Sequence, residues 1–229
     1  ARPRPRPRPP EGRVSTPLAL LKGPKIPGEM SPRYLLFRRV MLDLGRLFLG
    51  FEVHGEERVP EKGPLVVAAN HHRFFDPVFV SMAVPRRLQW MAKKELFVFP
   101  FRKFFFFIGS FPVDRKGGGR SALRAALEYL REGWALGMFP EGTRQRGGAS
   151  GEAKSGVVML AVRSTAPVLP VFVDRVPPLG ARLRGAKLHV YIGNPITIDN
   201  TIRGRVAYRE ASDRILDTIY ALPEQEDVR

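Results

Sequence analysis

The sequence predicts an α/β fold with a mixed, mostly parallel sheet covered by helices, and two observations carry this prediction. Short apolar runs without alternating polarity, such as Pro64–Ala69 and Val168–Val173, are typical of strands that are buried on both faces. Between these runs lie segments whose apolar residues recur every three or four positions, the spacing of amphipathic helices. Alternation of such strands and helices is typical of a sheet with helices on both sides.

The predicted strands and helices follow one another along the chain. The apolar runs predict strands at Pro64–Ala69, Arg87–Met91, Ile108–Val113, Ala135–Phe139, Val168–Val173 and Lys187–Ile192. The helical patterns cover about Ser31–Gly50, Pro77–Val84, Ala122–Glu132, Gly156–Arg163 and Val206–Ala221. In the third of these helices, the apolar side chains share one face (Leu123, Ala126, Leu127, Leu130).

Residues 1–28 are predicted to form a disordered basic arm. They hold 8 of the 22 prolines, and their seven basic residues and one acidic residue give a net charge of +6. Because proline fixes φ and removes backbone donors, the arm should be extended and solvated. It is either a solvated tail without a partner or an anchor for a polyanion.

Residues 29–56 are predicted to hold an amphipathic helix that associates with a membrane. One side carries an apolar stripe, formed by Phe37, Val40, Met41, Leu44, Phe48 and Phe51. Further leucines lie on the basic side, which is more apolar surface than one packing contact requires. The helix therefore lies in a membrane interface or packs against its own domain. Residues 57–229 are predicted to form the α/β domain.

Composition excludes several functional classes. The absence of cysteine rules out a disulfide scaffold, thiolate zinc sites and iron–sulfur clusters. The longest run without a charged residue, Leu188–Ile198, has 11 residues. A spanning helix needs roughly 18 apolar residues, so no transmembrane segment is expected. The net charge of +16 predicts attraction to nucleic acid, anionic lipid or a phosphorylated substrate, and composition does not choose among them.

His71 and Asp76 follow the strand Pro64–Ala69, at the carboxyl end where α/β sheets bind ligands. The Asp76-Pro77 pair predicts the start of a helix, with Asp76 as the N-cap. The carboxylate can also fold back to the imidazole of His71. A carboxylate on one ring nitrogen fixes the tautomer and leaves the other nitrogen free as a general base. Alternatively, Asp76 only caps its helix and the histidines pack or face solvent.

Three further clusters follow other predicted strands or precede them. Arg115 leads into a basic, glycine-rich loop, where its guanidinium could grip a phosphate. The segment Phe139–Arg144 brings a carboxylate, a glycine, a hydroxyl and an arginine to one strand end. Pro167 precedes the strand Val168–Val173, where a proline is mostly structural.

Taken in order, these clusters resemble the glycerolipid acyltransferases typified by 1-acylglycerol-3-phosphate O-acyltransferase. The resemblance covers about residues 65–173 and depends most on His71 with Asp76 and on Phe139–Arg144. It implies transfer of a fatty acyl group from acyl-CoA or acyl carrier protein to the hydroxyl of 1-acylglycerol 3-phosphate, giving phosphatidic acid. It implies no metal, no cofactor and no covalent acyl-enzyme, and a peripheral location on the cytoplasmic face of an anionic membrane.

The resemblance also implies residue roles. His71 matches the general base and Asp76 the residue that orients it, while Pro167 matches a position in the acyl-donor region. The acceptor phosphate would be held by Arg115, Glu141, Gly142, Thr143 and Arg144. Two residues depart from the family pattern, since Arg73 and Gln145 stand where serine is usual. Arg73 should either pair with a carboxylate such as Glu141 or add a further contact to the acceptor phosphate.

Other functions are weighed against this one. The acceptor could be glycerol 3-phosphate or another lysolipid, and a basic nucleic-acid-binding protein is the alternative of a different class. No helix-turn-helix spacing, zinc pattern or aromatic RNA-binding signature is present, so no nucleic acid partner is expected. The phenylalanines between residues 97 and 107 suit a lipid-facing or acyl-lining surface, with a buried core as the alternative.

Overall fold

The computed structural model describes residues 30–113, 120–142 and 153–227. The helices are α1 (Pro32–Leu49), α2 (Asp76–Ala83), α3 (Arg102–Phe107), α4 (Arg120–Arg131), α5 (Gly156–Ser164), α6 (Leu179–Arg182) and α7 (Arg205–Asp227). The strands are β1 (Glu52–His54), β2 (Leu65–Ala69), β3 (Leu88–Lys93), β4 (Ser110–Val113), β5 (Ala135–Met138), β6 (Val168–Val173) and β7 (His189–Ile192). The arm predicted at residues 1–28 lies outside the described residues.

In the described residues, seven strands form one sheet in the order β1-β7-β6-β2-β5-β3-β4. Every neighbouring pair is parallel except β6 with β7, which confirms the mixed, mostly parallel sheet. All residues of β2 are buried, because β2 lies in the middle of the sheet with helices on both faces. The carboxyl ends of β2, β3, β5 and β6 therefore lie at the same edge, here called the carboxyl edge.

The core lies on both faces of the sheet. On one face, Leu65, Val67 and Ala69 of β2 pack against α2, with side chains of α1 at the margin. On the other face, Val66 and Ala68 pack against α4, α5 and α7. The alternation follows from the strand period of two, which points successive side chains to opposite faces. Segments that follow the strands at the carboxyl edge can therefore contact helices on both faces of the sheet.

The predicted elements agree closely with the observed ones, but β1, α3 and α6 were not predicted. The strand β1 is only three residues long and pairs with β7 through Glu52 and His189. Its sequence, Glu-Val-His, contains no apolar run that could indicate a strand. Since β1 belongs to the sheet, the α/β unit includes residues that the sequence assigned to the N-terminal helix at 29–56.

The helix α1 is amphipathic, but the predicted stripe does not face the domain as a unit. The buried residues are Tyr34 and Gly45, with the side chains of Met41 and Leu42 packed at the margin of the core. Of the predicted stripe, Val40, Leu44 and Phe48 are exposed. The periodicity gives the angular spacing of apolar residues, whereas the contact with α2 decides which angle is buried. One apolar side of α1 is consequently exposed to solvent.

Arg86 connects two loops at the edge of the sheet opposite to the carboxyl edge. Its side chain is buried, and its guanidinium donates hydrogen bonds to the carbonyls of Pro60, Gly63 and Gly133 at 2.8, 2.7 and 3.3 Å. These carbonyls belong to the loops that lead into β2 and β5. One cation thereby fixes where two central strands begin.

We expect Arg86→Ala to lower the free energy of unfolding by about 3 kcal/mol, because three carbonyls lose their donor at a buried position. Urea unfolding followed by circular dichroism measures the change. The control is Arg184→Ala, an exposed arginine, which should change stability by about 0.5 kcal/mol or less. Equal stability of the two variants would contradict the role of Arg86.

Candidate active site

The turn between β2 and α2 is organised by one carboxylate oxygen. Oδ2 of Asp76 accepts hydrogen bonds from Nδ1 of His71 at 2.9 Å and from the backbone N–H groups of His72 and Arg73 at 2.6 Å each. Asp76 is buried, so these donors replace the water that an exposed carboxylate would bind. The predicted contact between His71 and Asp76 is present in the structure.

The predicted capping role of Asp76 is wrong by one residue. The helix α2 begins at Asp76 itself, with Phe75 in the capping position, so Pro77 is the second helical residue. An N-cap carboxylate would accept hydrogen bonds from residues that follow it. The carboxylate of Asp76 instead turns back to the residues that precede it, because His72 and Arg73 present their N–H groups to Oδ2.

The hydrogen-bond pattern fixes the tautomer of His71. An ionised carboxylate only accepts hydrogen bonds, so Nδ1 of His71 carries the proton that it donates to Asp76. The lone pair is then on Nε2, at the other side of the ring. The ring stacks on Phe139 with centroids 4.0 Å apart, and Phe139 stacks on Trp90 at 5.2 Å. This series of rings holds the plane of the imidazole.

Asn70 connects the turn to the neighbouring strand. Its buried side chain donates to the carbonyl of Val173 at 2.9 Å and accepts from the N–H of Val173 at 2.7 Å. The amide thus continues the pairing of β2 with β6 one step beyond Ala69 and Val171. This anchor was not singled out from the sequence, although a polar residue that ends an apolar strand was a signal for it.

Glu141 lies after β5 and is held from the far end of the chain. It is 2% exposed, and its Oε1 accepts a hydrogen bond from the hydroxyl of Tyr220 on α7 at 2.8 Å. Burial raises the pKa of Glu141, and the Tyr220 hydroxyl and the nearby His71 only partly offset that rise. The ring of Tyr220 also lies edge-on to His72, with centroids 6.4 Å apart. Sequence reasoning missed Tyr220, because its contact spans 79 residues.

Arg73 lies in the turn after β2, and Gly142 lies in the turn after β5. Arg73 has an exposed side chain and no ion pair with Glu141, so the pairing alternative for these two residues is wrong. Gly142 has φ = 68°, in the left-handed region that favours glycine. The side chain of Lys154 packs over Gly142, where a Cβ would lie 2.6 Å from its Cδ. Lys154 therefore connects the turn at Gly142 with the start of α5.

Some of the predicted site residues are not brought to this edge. Pro167 precedes β6, and its carbonyl accepts from the N–H of Val66 near the start of β2. Because β2 and β6 are parallel, Pro167 lies at the edge of the sheet opposite to His71. Arg115, Thr143 and Arg144 lie outside the described residues.

Among the described residues, one cluster combines three potential metal ligands, and it is remote from His71 in the topology. Nε2 of His54 lies 3.0 Å from Nδ1 of His189, which lies 3.5 Å from Oε2 of Glu52. These side chains belong to the edge strand β1 and its neighbour β7. Nζ of Lys187 also donates a hydrogen bond to Oε1 of Glu52, so the carboxylate of this cluster already has a cationic partner.

Together, the fold and the site define an α/β protein that holds a histidine oriented by a carboxylate at the carboxyl edge of its sheet. A model of the Acyltransferase family matches residues 50–174, which is more than half of the chain. The chain therefore belongs to the acyltransferase family, and the predicted family and enzyme class are confirmed.

Two similar proteins are both named 1-acyl-sn-glycerol-3-phosphate acyltransferase. The one from Bacillus subtilis is 32% identical over 150 residues, which cover 64% of this chain and 74% of the relative. The one from Streptococcus pneumoniae is 29% identical over 153 residues, which cover 64% of this chain and 56% of the relative. The chain thus spans between half and three quarters of these relatives.

A solved structure supports the fold. The crystal structure of the 1-acyl-sn-glycerophosphate (LPA) acyltransferase from Thermotoga maritima aligns with a TM-score of 0.60 and 23% sequence identity. The alignment covers 86% of this chain and 84% of that chain. The two proteins therefore share their architecture over most of their length.

The raised pKa of Glu141 predicts a pH-dependent cost to stability. The folded state keeps the proton at pH values where the unfolded chain, with its ordinary pKa of 4.5, has lost it. Stability should therefore fall as the pH rises from 4.5 towards the folded pKa. Glu141→Gln has no proton to lose, so its Tm relative to wild type should rise over this interval.

Thermal unfolding at a series of pH values from acid to neutral measures this difference. The control is Glu210→Gln on the exposed side of α7, whose Tm difference from wild type should stay nearly constant. A Tm difference for Glu141→Gln that does not change with pH would show that the burial of this carboxyl has no consequence for its protonation.

Proposed function

We propose that this protein transfers a fatty acyl group from a thioester to the free hydroxyl of 1-acylglycerol 3-phosphate, giving phosphatidic acid. The observation that carries the proposal is the fixed tautomer of His71, whose Nδ1 is held by Asp76 while Nε2 is left as the basic atom. Because the chain belongs to the acyltransferase family, we propose that the reaction assisted by this base is an acyl transfer. The names of the relatives support the choice of acceptor.

The proposed reaction has two steps. Nε2 of His71 takes the proton of the acceptor hydroxyl while the oxygen bonds to the thioester carbonyl carbon, giving a tetrahedral intermediate. When the carbon–sulfur bond breaks, the proton passes from the imidazolium to the leaving thiolate, which departs as a free thiol. Asp76 stabilises the imidazolium between the two steps, because its carboxylate faces Nδ1. A thioester is already activated, so no further co-reactant is required.

We place the acceptor phosphate beside Arg73. Its guanidinium is exposed, and its backbone N–H is fixed by Asp76 in the turn that carries His71. Arg115, Thr143 and Arg144 stay predictions for the same phosphate. Glu141 is assigned a different part, because it is buried and its side chain is held by Tyr220. We propose that Glu141 and Gly142 shape the wall of the site.

We propose that the carboxyl edge rests on a membrane. Large apolar side chains are exposed in the segments that follow β2, β3 and β6 and at the end of α1, namely Phe74, Phe75, Val98, Phe99, Phe101, Leu179, Leu183, Leu47 and Phe48. Phe99 is 95% exposed and Leu183 is 80% exposed. Exposed apolar side chains in several segments that leave the carboxyl edge suit an interaction surface, and His71 lies at that same edge. A lipid acceptor could then reach the base without leaving the bilayer surface.

The end of α1 is joined to this surface by a specific contact. The guanidinium of Arg182 in α6 donates a hydrogen bond to the carbonyl of Phe48 at 3.0 Å. Leu47, Phe48 and Leu183 therefore belong to one neighbourhood. Among the described residues, no helix is long and apolar enough to cross a bilayer. Contact through side chains at the membrane interface is the proposed mode, and the cytoplasmic face stays a prediction.

We expect the purified protein to convert acyl-CoA and 1-acylglycerol 3-phosphate into phosphatidic acid and an equal amount of free thiol. His71→Ala should lower kcat/KM by about 100-fold or more, the usual contribution of a general base. The matched control is His72→Ala, which removes the neighbouring ring but leaves the contact between His71 and Asp76, and which should cost far less. Circular dichroism would verify that both variants are folded.

Two results would contradict this proposal. One is equal inactivation of the folded His71→Ala and His72→Ala proteins, which would remove His71 from the role of the base. The other is turnover with glycerol 3-phosphate in place of 1-acylglycerol 3-phosphate, which would change the acceptor but keep the acyl transfer.

We expect the double variant Leu47→Ser/Leu183→Ser to bind anionic vesicles several-fold more weakly than wild type, because two exposed apolar groups no longer enter the interface. Its activity on detergent-dispersed lipid should be unchanged. The control is Val206→Ser, which alters a side chain that is 71% exposed at the start of α7, away from the carboxyl edge. Sedimentation with vesicles measures binding, and equal losses in both proteins would contradict the orientation.

A further inference from the structure

A groove with a cationic rim lies between α4 and α5, next to the site. Its volume is about 980 Å³, within the range of small-molecule sites. Arg124 and Arg131 of α4 line it together with Arg163 of α5 and Lys154. Leu127 and Met159 add apolar side chains between these cations. The groove thus combines several positive charges with an apolar wall.

The four cations have no acidic partners in the part of the chain that the structure describes. None of Arg124, Arg131, Lys154 and Arg163 forms an ion pair there, and all four side chains are exposed. One acidic residue, Glu128, lines the same groove. The lining therefore carries a net charge of +3, and like charges collected around a concave surface favour a bound anion with several charges.

The position of the groove connects it to the proposed chemistry. Both α4 and α5 begin at the carboxyl edge, and Lys154 at one end of the groove packs over Gly142. From Leu123 to Arg131 the groove follows α4 for nine residues, which is about 12 Å of helix. A ligand in the groove could therefore place one end beside His71 and extend along the domain.

We infer that this groove binds the phosphorylated nucleotide of coenzyme A when the acyl-CoA thioester is at His71. The inference depends on the proposed acyl transfer and specifies its donor. The phosphates of coenzyme A are polyanionic and match the arginines, while its adenine and its flexible arm match Leu127 and Met159. The choice of coenzyme A over an acidic carrier protein follows from shape, because the cations line a concave space of small-molecule size.

The test compares two donors with the same acyl chain. Acyl-CoA carries the nucleotide, whereas the S-acyl derivative of pantetheine has the same thioester arm without phosphates. Arg124→Ala, Arg131→Ala and Arg163→Ala should each raise the KM for acyl-CoA about two- to fivefold, and the triple variant at least about tenfold. The KM for S-acyl pantetheine and the KM for the acceptor should not change. The control is Arg214→Ala, an exposed arginine on α7 outside the groove.

Coenzyme A binding, measured by isothermal titration without any acceptor, separates this inference from the proposed function. The triple variant should bind coenzyme A at least about tenfold more weakly than wild type. If wild type transfers acyl groups but binds coenzyme A no better than the triple variant, the groove is not the nucleotide site. If coenzyme A binding depends on the three arginines but no acyl transfer occurs, the groove assignment holds and the proposed function fails. Turnover with acyl carrier protein alone, and no binding of coenzyme A, would overturn the inference.

Discussion

The geometry of the site depends on one oxygen atom, Oδ2 of Asp76. It accepts hydrogen bonds from a ring nitrogen and two consecutive backbone N–H groups, which closes the turn between β2 and α2. The carboxylate is buried, so these three contacts are also the reason that its charge is tolerated there. The tautomer of His71, the course of the backbone through Arg73 and the start of α2 all share this anchor. A change at Asp76 therefore affects the chemistry and the local fold together.

A second buried carboxylate, Glu141, lies in a different environment within the same site. It has a neutral donor, the hydroxyl of Tyr220, where Asp76 has three N–H groups. Burial is the largest influence on its pKa, and burial favours the protonated form. The two acids that follow neighbouring strands thus have different hydrogen-bond partners. Asp76 contacts the imidazole of His71 directly, whereas Glu141 is held by the hydroxyl of Tyr220.

The sequence predicted the layered fold and the pairing of His71 with Asp76, because both depend on residues close together in the chain. Apolar runs mark buried strands, and a separation of five residues lets the carboxylate return to the imidazole within one turn. Features formed by distant residues were missed. Tyr220 reaches Glu141 from α7, and the three-residue strand β1 exists only because β7 lies beside it. Pro167 was assigned to the acyl-donor region by the family resemblance, and the strand directions place it at the edge of the sheet opposite to His71.

The pairing of β1 with β7 has a consequence for the folding of this protein during its synthesis on the ribosome. Glu52 faces His189 across the ladder, so 137 residues of chain separate the two partners. At ordinary translation rates, roughly 7 to 30 seconds pass between the synthesis of one partner and the other. During that interval β1 lacks the strand that it pairs with, since β7 is its only neighbour in the sheet that the structure describes. The end of the sheet that carries β1 is therefore completed only after nearly all of the domain has been synthesised.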